Sequence, residues 1–245
     1  MPTFNAKEAY DSLVDSLTHW SLLDAAKDTN QARQKAAADY FARRYWGPVY
    51  YIIWLRVRSE HRAEDLTQDF FFKCLTKDFL ARASKDKGRF RGFLFTSVRH
   101  FLNSQPPQPK HEDISPVATG EGGKPNRELA DNDTPEAIFN RVWTMDILLR
   151  VVTALEIEFK TTGKEVHLDI FRQCVVDPIL KKAKRPSLKS LAPRYKLTPK
   201  EVESRLTTAQ RAYKKLLRAE IATFAKSEKE IDDEIRDMLK FLSDK

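Results

Sequence analysis

The amino-acid sequence predicts an all-α protein of two helical domains that a flexible linker joins. Residues that favour helices, chiefly Ala, Leu, Lys, Glu and Arg, dominate the composition. The chain has only 7 glycines, too few for a turn-rich β-sandwich. A stretch rich in proline and glycine, without apolar periodicity, separates the two helical parts. We therefore predict a first domain at 1–103, a linker at 104–134, a second domain at 135–226 and an acidic C-terminal helix at 227–245.

In the first domain, apolar residues at three- and four-residue steps predict successive helices. The first covers 10–28. The second runs from Gln31 to Arg58, and we expect Pro48 to interrupt and kink it, because proline lacks the amide proton of a helix interior. Two further helices are predicted at 63–80 and 90–103.

The second domain begins with Thr134 and Pro135, an N-cap followed by a proline at the first helical position. The helix that follows should end near Gly163, and another should cover 165–180. Its apolar stripe consists of Ile138, Val142, Met145, Leu148, Val152, Leu155 and Phe159.

A helix-turn-helix is predicted further along this domain. Residues 187–195 form its short first helix, and a long second helix begins at Thr198. The hydroxyl of Thr198 and the carboxylate of Glu201 have the spacing of a reciprocal N-terminal cap. The small core between the two helices is predicted to contain Ala192, Leu197, Val202 and Leu206.

The positive charge of the chain is concentrated around this motif. Fourteen basic residues stand against three acidic ones between 180 and 226, a net charge of +11, whereas the whole chain carries +8. Such a segment favours nucleic acid. The side chains predicted to meet base edges and phosphates of duplex DNA are Lys200, Ser204, Arg205, Thr207, Thr208 and Arg211. The alternative is a helical hairpin with a solvated, charged face.

Residues 82–103 interleave basic side chains with phenylalanines. Exposed rings beside cations suit single-stranded bases, which stack on them. The alternative is that the rings form a core, and we expect this for most of them.

The preceding helix has two contrasting faces. Ala63, Leu66, Phe70 and Cys74 share the face that should be buried. The opposite face carries Asp65, Gln68, Asp69 and Phe72. An exposed phenylalanine among polar groups indicates a contact with another protein.

Other classes of protein are excluded by what the sequence lacks. The two cysteines lie a hundred residues apart without neighbouring ligands, which argues against disulfides and zinc and favours a reducing cytoplasm. We find no signal peptide and no apolar run long enough to span a membrane. The five histidines are scattered, and no nucleophile–base pair or phosphate loop is present. We expect a cytoplasmic protein that is not an enzyme and has no cofactor.

At several places the residues resemble a known family, the extracytoplasmic-function sigma factors of bacterial RNA polymerase. Residues 45–50 (YWGPVY), 63–71 (AEDLTQDFF) and 88–94 (GRFRGFL) resemble region two of that family. Residues 191–206, with Leu-Ala, Leu-Thr and the Val-Glu-Ser-Arg-Leu run, resemble its region four. Residues 19–23 (HWSLL) look like the N-terminal segment of a subgroup common in planctomycetes. The matches occur in the right order over nearly the whole chain.

The resemblance implies a mechanism. The face of Asp65, Gln68, Asp69 and Phe72 would dock on the clamp helices of core RNA polymerase. The linker would thread toward the active-site cleft, and the helix from Thr198 would read the minus-thirty-five element of promoter DNA. The first-domain side chains that would hold the opened minus-ten element are Lys87, Arg89, Arg91, Phe93, Arg99, His100 and Asn103. An anti-sigma factor or other regulator is a further class of partner.

Four positions depart from the family pattern. His100 stands where asparagine is frequent, so a particular base preference is not transferred. Glu203 stands where a basic residue is usual, and Pro193 should kink the first helix of the motif. Lys196 replaces the usual turn glycine, which costs roughly 1 kcal/mol if the turn is left-handed. The alternative function is a free-standing helix-turn-helix transcriptional regulator, which leaves the Asp65 face without a role.

The C-terminal segment 227–245 reverses the charge. Acidic residues outnumber basic ones, and Ile231, Ile235, Met238 and Leu242 fall at helical steps. Two interpretations stay open: the helix completes the core of its own domain, or its carboxylates mask the DNA-binding surface.

Overall fold

The computed structural model describes residues 31–74, 89–106 and 134–243 of the chain, and every regular element among them is helical. The all-α class is therefore confirmed. The helices are α1 Gln31–Val57, α2 Glu60–Cys74, α3 Phe90–Asn103, α4 Pro135–Thr161, α5 Glu165–Phe171, α6 Asp177–Leu180, α7 Leu188–Leu191, α8 Pro199–Ala222 and α9 Glu228–Ser243. A π-helical turn, Arg172–Val176, joins α5 to α6, and a 3-10 turn, Pro193–Tyr195, follows α7.

Most predicted elements have their counterparts. Helix α3 has the predicted bounds, and Gly163 ends the α4 segment with a positive φ of 65°. Helix α1 runs through Pro48 as one helical span, so the predicted interruption is absent. The helix predicted at 10–28 lies outside the described residues, as does the predicted linker apart from 104–106 and 134.

The chain divides into two compact units. One comprises Met1–Trp143 with Thr223–Lys226, and the other comprises Thr144–Ala222 with Ser227–Lys245. This division differs from the predicted domains, because residues 135–143 belong to the first unit and the C-terminal helix belongs to the second.

The first unit has an aromatic core. The rings of Tyr45 in α1 and Trp143 in α4 are stacked, with centroids 5.3 Å apart and planes 2° apart. Phe90 at the start of α3 lies 5.1 Å from Tyr45, and Phe224 meets Trp143 edge-on at 5.6 Å. Large rings bury much apolar surface in favourable geometries, so this cluster contributes strongly to the stability of the unit.

The buried face of α4 differs from the predicted stripe. Of the predicted positions, Val142, Met145 and Leu148 are only half-buried. The fully buried positions include Phe139, Trp143, Ile147 and Val151, which the prediction omitted. Helix α4 is apolar on several sides, so the periodicity permits more than one face. The aromatic partners of Trp143 select the observed one.

The second unit has a mainly aliphatic core, to which α4, α5, the π-helical turn, α7 and α8 contribute. Its buried members are Val152, Leu155, Phe159, Leu168, Ile170, Phe171, Cys174, Val176, Leu191, Ala192, Val202, Leu206 and Ala209. Phe171 lies 5.1 Å from the ring of Tyr213 in α8. The long helix α8 is therefore held along one face by the elements that precede it.

The acidic C-terminal helix α9 is amphipathic, as predicted. Ile231 and Met238 are buried. On its polar side, Glu228 Oε2 and Asp232 Oδ1 each lie 2.5 Å from the guanidinium of Arg218 in α8. These contacts belong to one unit and fit a structural role. The masking of a DNA-binding surface stays a prediction.

Candidate nucleic-acid interface

The predicted helix-turn-helix is present in the second unit. The Ser187 side chain caps α7 by accepting a hydrogen bond from the amide of Ser190 at 3.1 Å. Pro193 begins a separate 3-10 turn, so the first helix of the motif ends earlier than predicted. The turn closes at Lys196, which has the left-handed φ of 54° and ψ of 43°. The chain is thereby redirected into α8.

The start of α8 is fixed by the predicted reciprocal cap. The amide of Glu201 donates to Thr198 Oγ1 at 3.3 Å, and the amide of Thr198 donates to Glu201 Oε2 at 2.7 Å. The backbone bond from Thr198, then its hydroxyl, hold the pKa of Glu201 below its usual range. Two amides that would otherwise lack a helical partner are satisfied, and the register of α8 is set at its first turn.

The core beneath the motif contains the four predicted residues. Ala192, Val202 and Leu206 are buried, and Leu197 packs against them partly buried. The amide of Leu197 donates to the carbonyl of Ala192 at 2.9 Å across the turn. The two helices of the motif are therefore locked together by packing and by a backbone hydrogen bond.

Packing of this core leaves the opposite side of α8 exposed. Lys200, Ser204, Thr208 and Arg211 are exposed, while Arg205 and Thr207 are half-buried. The hydroxyl of Thr208 donates to the carbonyl of Ser204 at 2.9 Å, so its remaining capacity is to accept. This face offers cations, hydroxyls and a guanidinium, the groups that proteins present to phosphates and base edges.

A polar network not foreseen from the sequence supports the turn. The Tyr195 hydroxyl donates to Asp169 of α5 and accepts a hydrogen bond from Gln173 Nε2 at 2.6 Å. Arg194 donates to Gln173 Oε1 at 3.1 Å. Burial, and then the carboxylate of Asp169, raise the pKa of Tyr195 to about 12. The hydroxyl thus keeps its proton, and the network ties the turn to α5 and the π-helical turn.

His167 lies beside the candidate DNA-reading face. Its ring meets Phe159 edge-on with centroids 6.1 Å apart. Burial lowers the pKa of His167, and the nearby charges of Arg205 and Lys164 lower it further. The imidazole is therefore neutral at neutral pH and adds no third positive charge next to Arg205.

Helix α3 carries most of the predicted first-unit DNA residues. Arg99, His100 and Asn103 are exposed, and Arg89 and Phe93 are half-buried. Lys87 lies outside the described residues. Phe90, Phe95 and Phe101 are buried, which agrees with the expectation that most of these rings form a core.

Arg91 does not fit the predicted role. It is only 8% exposed, and its Nη1 donates to Asn140 Oδ1 of α4 at 2.9 Å. A buried guanidinium needs such a partner to offset the loss of water. Arg91 therefore braces α3 against α4 and does not belong to the exposed basic surface.

Helix α2 presents the predicted two faces. Ala63, Leu66 and Phe70 are buried, whereas Asp65, Gln68 and Asp69 are exposed. The Cys74 side chain lies outside what the structure describes. Phe72 is 76% exposed, the largest exposed fraction among the exposed large apolar side chains of the described residues. A nearly bare ring flanked by carboxylates and an amide is a surface suited to a protein partner.

In the described ranges, no group of three or more His, Cys, Asp or Glu side chains is placed to hold a metal ion. No helix there is long and apolar enough to cross a membrane. Comparison with known proteins gives no match to a family model, a curated protein or a solved structure.

Proposed function

We propose that this chain is a sigma factor of the extracytoplasmic-function type, a promoter-reading subunit of RNA polymerase and not an enzyme. It binds core polymerase and directs initiation by recognising a minus-ten and a minus-thirty-five element. The proposal rests on two different surfaces that occur in one chain, in the order that the sequence resemblance implies.

The observation that carries the proposal is the α2 face. Phe72 is 76% exposed beside Asp65, Gln68 and Asp69, all exposed. The opposite face of the same helix is buried, so the polar face is not needed for the fold. Exposed aromatic side chains commonly anchor protein interfaces, where a few residues supply most of the binding energy. The clamp helices of core polymerase are the partner we propose.

The helix-turn-helix supports the reading of duplex DNA. Its α8 begins with a rigid cap, and the exposed side chains of the first four turns include Lys200, Ser204 and Arg211. In such motifs the second helix enters the major groove with its N-terminal residues against base edges. We propose that α8 reads the minus-thirty-five element in this way.

Helix α3 supports the holding of opened DNA. Arg99, His100 and Asn103 are exposed, and Phe93 is half-buried next to the aromatic core. Cations attract the backbone of a single strand, while a partly accessible ring accepts a stacked base. These groups are the ones we propose to contact the minus-ten strand.

A second candidate function is a free-standing helix-turn-helix regulator. The capped α8 with its exposed basic face is sufficient for binding duplex sites, and it favours this alternative as much as the first. The alternative gives no role to the exposed ring of Phe72. Stoichiometric binding to core polymerase separates the two functions.

The deciding experiment is reconstituted transcription with core bacterial polymerase on genomic fragments. We expect promoter-specific initiation only when this protein is added. Tight binding to DNA sites without initiation would favour the regulator instead.

Single variants then locate the polymerase contact. We expect Phe72→Ala to weaken core binding by on the order of 2 kcal/mol, about 30-fold, and Asp65→Lys to weaken it as well. Leu239→Ala is the matched control, because Leu239 is also a large exposed side chain, 64% exposed, in α9. All variants should keep their helical signal, because the replaced side chains are exposed. Equal core affinity of Phe72→Ala and Leu239→Ala would remove the α2 face from the interface.

A further inference from the structure

The connector between α6 and α7, residues 181–187, has an unusual charge. Together with Lys189 in α7 it carries five basic residues, and no acidic residue occurs between Asp177 and Glu201. The five are Lys181, Lys182, Lys184, Arg185 and Lys189, and all are exposed. None of them lies on the face of α8 that reads DNA in the proposed function.

The connector is fixed to the helix-turn-helix at both ends. Leu180 before it and Leu188 after it pack against the apolar core beneath the motif. The amides of Lys181 and Ala183 both donate to the carbonyl of Asp177, at 2.8 and 3.4 Å. Four residues of chain span at most about 14 Å, so Lys184 stays close to Leu188 and the start of α7. The basic side chains are therefore presented by the same rigid module as α8.

Two of the five cations have partners within the unit. Lys181 pairs with Asp177 at 2.9 Å, and the guanidinium of Arg185 interacts with the Cys174 thiol. Lys182, Lys184 and Lys189 form no ion pair with any residue that the structure describes. No described residue neutralises these three charges, so they are available to an anionic partner.

Lys182 occupies a conformation that disfavours a side chain. Its φ is 51°, in the left-handed region where glycine is unstrained and other residues are not. Lys182 lies just beyond the C-terminal end of the continuous helical run 165–180, and the amide of Ala183 closes that end by donating to the carbonyl of Asp177 at 3.4 Å. The left-handed backbone is therefore the end of the helix, and a cation at this end is also favoured by the helix dipole.

We infer that the connector binds the phosphate backbone of duplex DNA beside the site that α8 reads. Lysines act as point charges on phosphate and carry no sequence information, so this contact adds affinity and fixes orientation. The inference rests on the proposed DNA reading by α8 and extends it to a second, sequence-independent contact surface. Lys182, Lys184 and Lys189 are the residues responsible.

The test uses the full-length chain, free and bound to core polymerase. Lys182→Gln, Lys184→Gln and Lys189→Gln are combined in one variant. A control variant combines Lys160→Gln, Lys229→Gln and Lys240→Gln, which are exposed residues of the same unit and change the net charge equally. Affinity is measured from low to physiological salt for a duplex selected by the chain from a random pool and for a scrambled duplex.

We expect the connector variant to bind both duplexes more weakly by the same factor. The slope of log affinity against log salt should become shallower by about 2–3, because each phosphate that a lysine no longer neutralises changes the slope by about 0.9. The control variant should change the slope by less than about 1. Equal slopes in the two variants would overturn the connector contact and leave the proposed function standing. Absence of duplex binding by the unaltered chain, free and polymerase-bound, would overturn both.

A single substitution separates binding from folding. Lys182→Gly removes one charge and also the strain of the left-handed backbone, so we expect a higher Tm together with weaker duplex binding. A higher Tm with unchanged duplex affinity would show that Lys182 makes no phosphate contact.

Discussion

The left-handed turn of the helix-turn-helix gives a quantitative test of the fold. Lys196 has a φ of 54° and a ψ of 43°, and its side chain is exposed. The left-handed conformation costs a residue with a Cβ about 1–2 kcal/mol, because the Cβ approaches the following carbonyl oxygen. Glycine avoids this clash, but its greater conformational freedom stabilises the unfolded chain by about 0.4–1 kcal/mol. We expect Lys196→Gly to stabilise the protein by about 0.5–1 kcal/mol.

The assay is thermal or denaturant unfolding followed by far-UV circular dichroism. For a chain of this size the expected gain corresponds to a Tm increase of roughly 1–4 °C. Lys196→Ala is the matched control, because it removes the same charge but keeps the Cβ and therefore the strain. The reasoning is refuted if Lys196→Gly is no more stable than Lys196→Ala.

Two further predictions concern the aromatic core and the polar network at the turn. Trp143→Ala should destabilise the protein by about 3–5 kcal/mol, since it leaves a cavity beside Tyr45 and Phe224; a loss below about 1 kcal/mol in denaturant titration would contradict the aromatic cluster. Tyr195→Phe should lower the free energy of unfolding near pH 8. At higher pH the free energy of unfolding should fall less steeply in this variant than in the unaltered protein. The folded pKa of Tyr195, about 12, lies above the ordinary tyrosine value. Its contribution is therefore present below about pH 10 and disappears as the pH rises toward 12. If the free energy of unfolding falls equally at high pH in Tyr195→Phe and in the unaltered protein, the Asp169 network does not cause that fall.

Local signals in the sequence were sufficient for the helix ends of the candidate site. The cap between Thr198 and Glu201 and the end of α4 at Gly163 involve hydrogen bonds or dihedral angles within one turn of chain. Such interactions depend on residues that are neighbours in sequence, so the sequence contains all of the information needed to place them.

Which helix faces are buried depends on partners from distant parts of the chain, so the sequence did not predict all of them. In the sequence, Arg91 is one more cation of a basic, aromatic segment. Its buried position depends on Asn140, 49 residues later, which accepts its hydrogen bond. Tyr195 likewise gains Asp169 and Gln173 as partners only through the packing of α5 beside the motif. No periodicity in a single helix predicts such pairs, because the pairing is decided by the packing of different elements.

The sequence alone determined the all-α class, the helix-turn-helix with its capped second helix, and the exposed polar face of α2. Each follows from composition, from the period of 3.6 residues, or from contacts within a turn. The tertiary structure alone decided that residues 135–143 pack with the first unit and that Trp143 is central to its core. The physical reason is that α4 is apolar on several sides, so contacts with distant elements select which side is buried, as the rings of Tyr45, Phe90 and Phe224 do for Trp143.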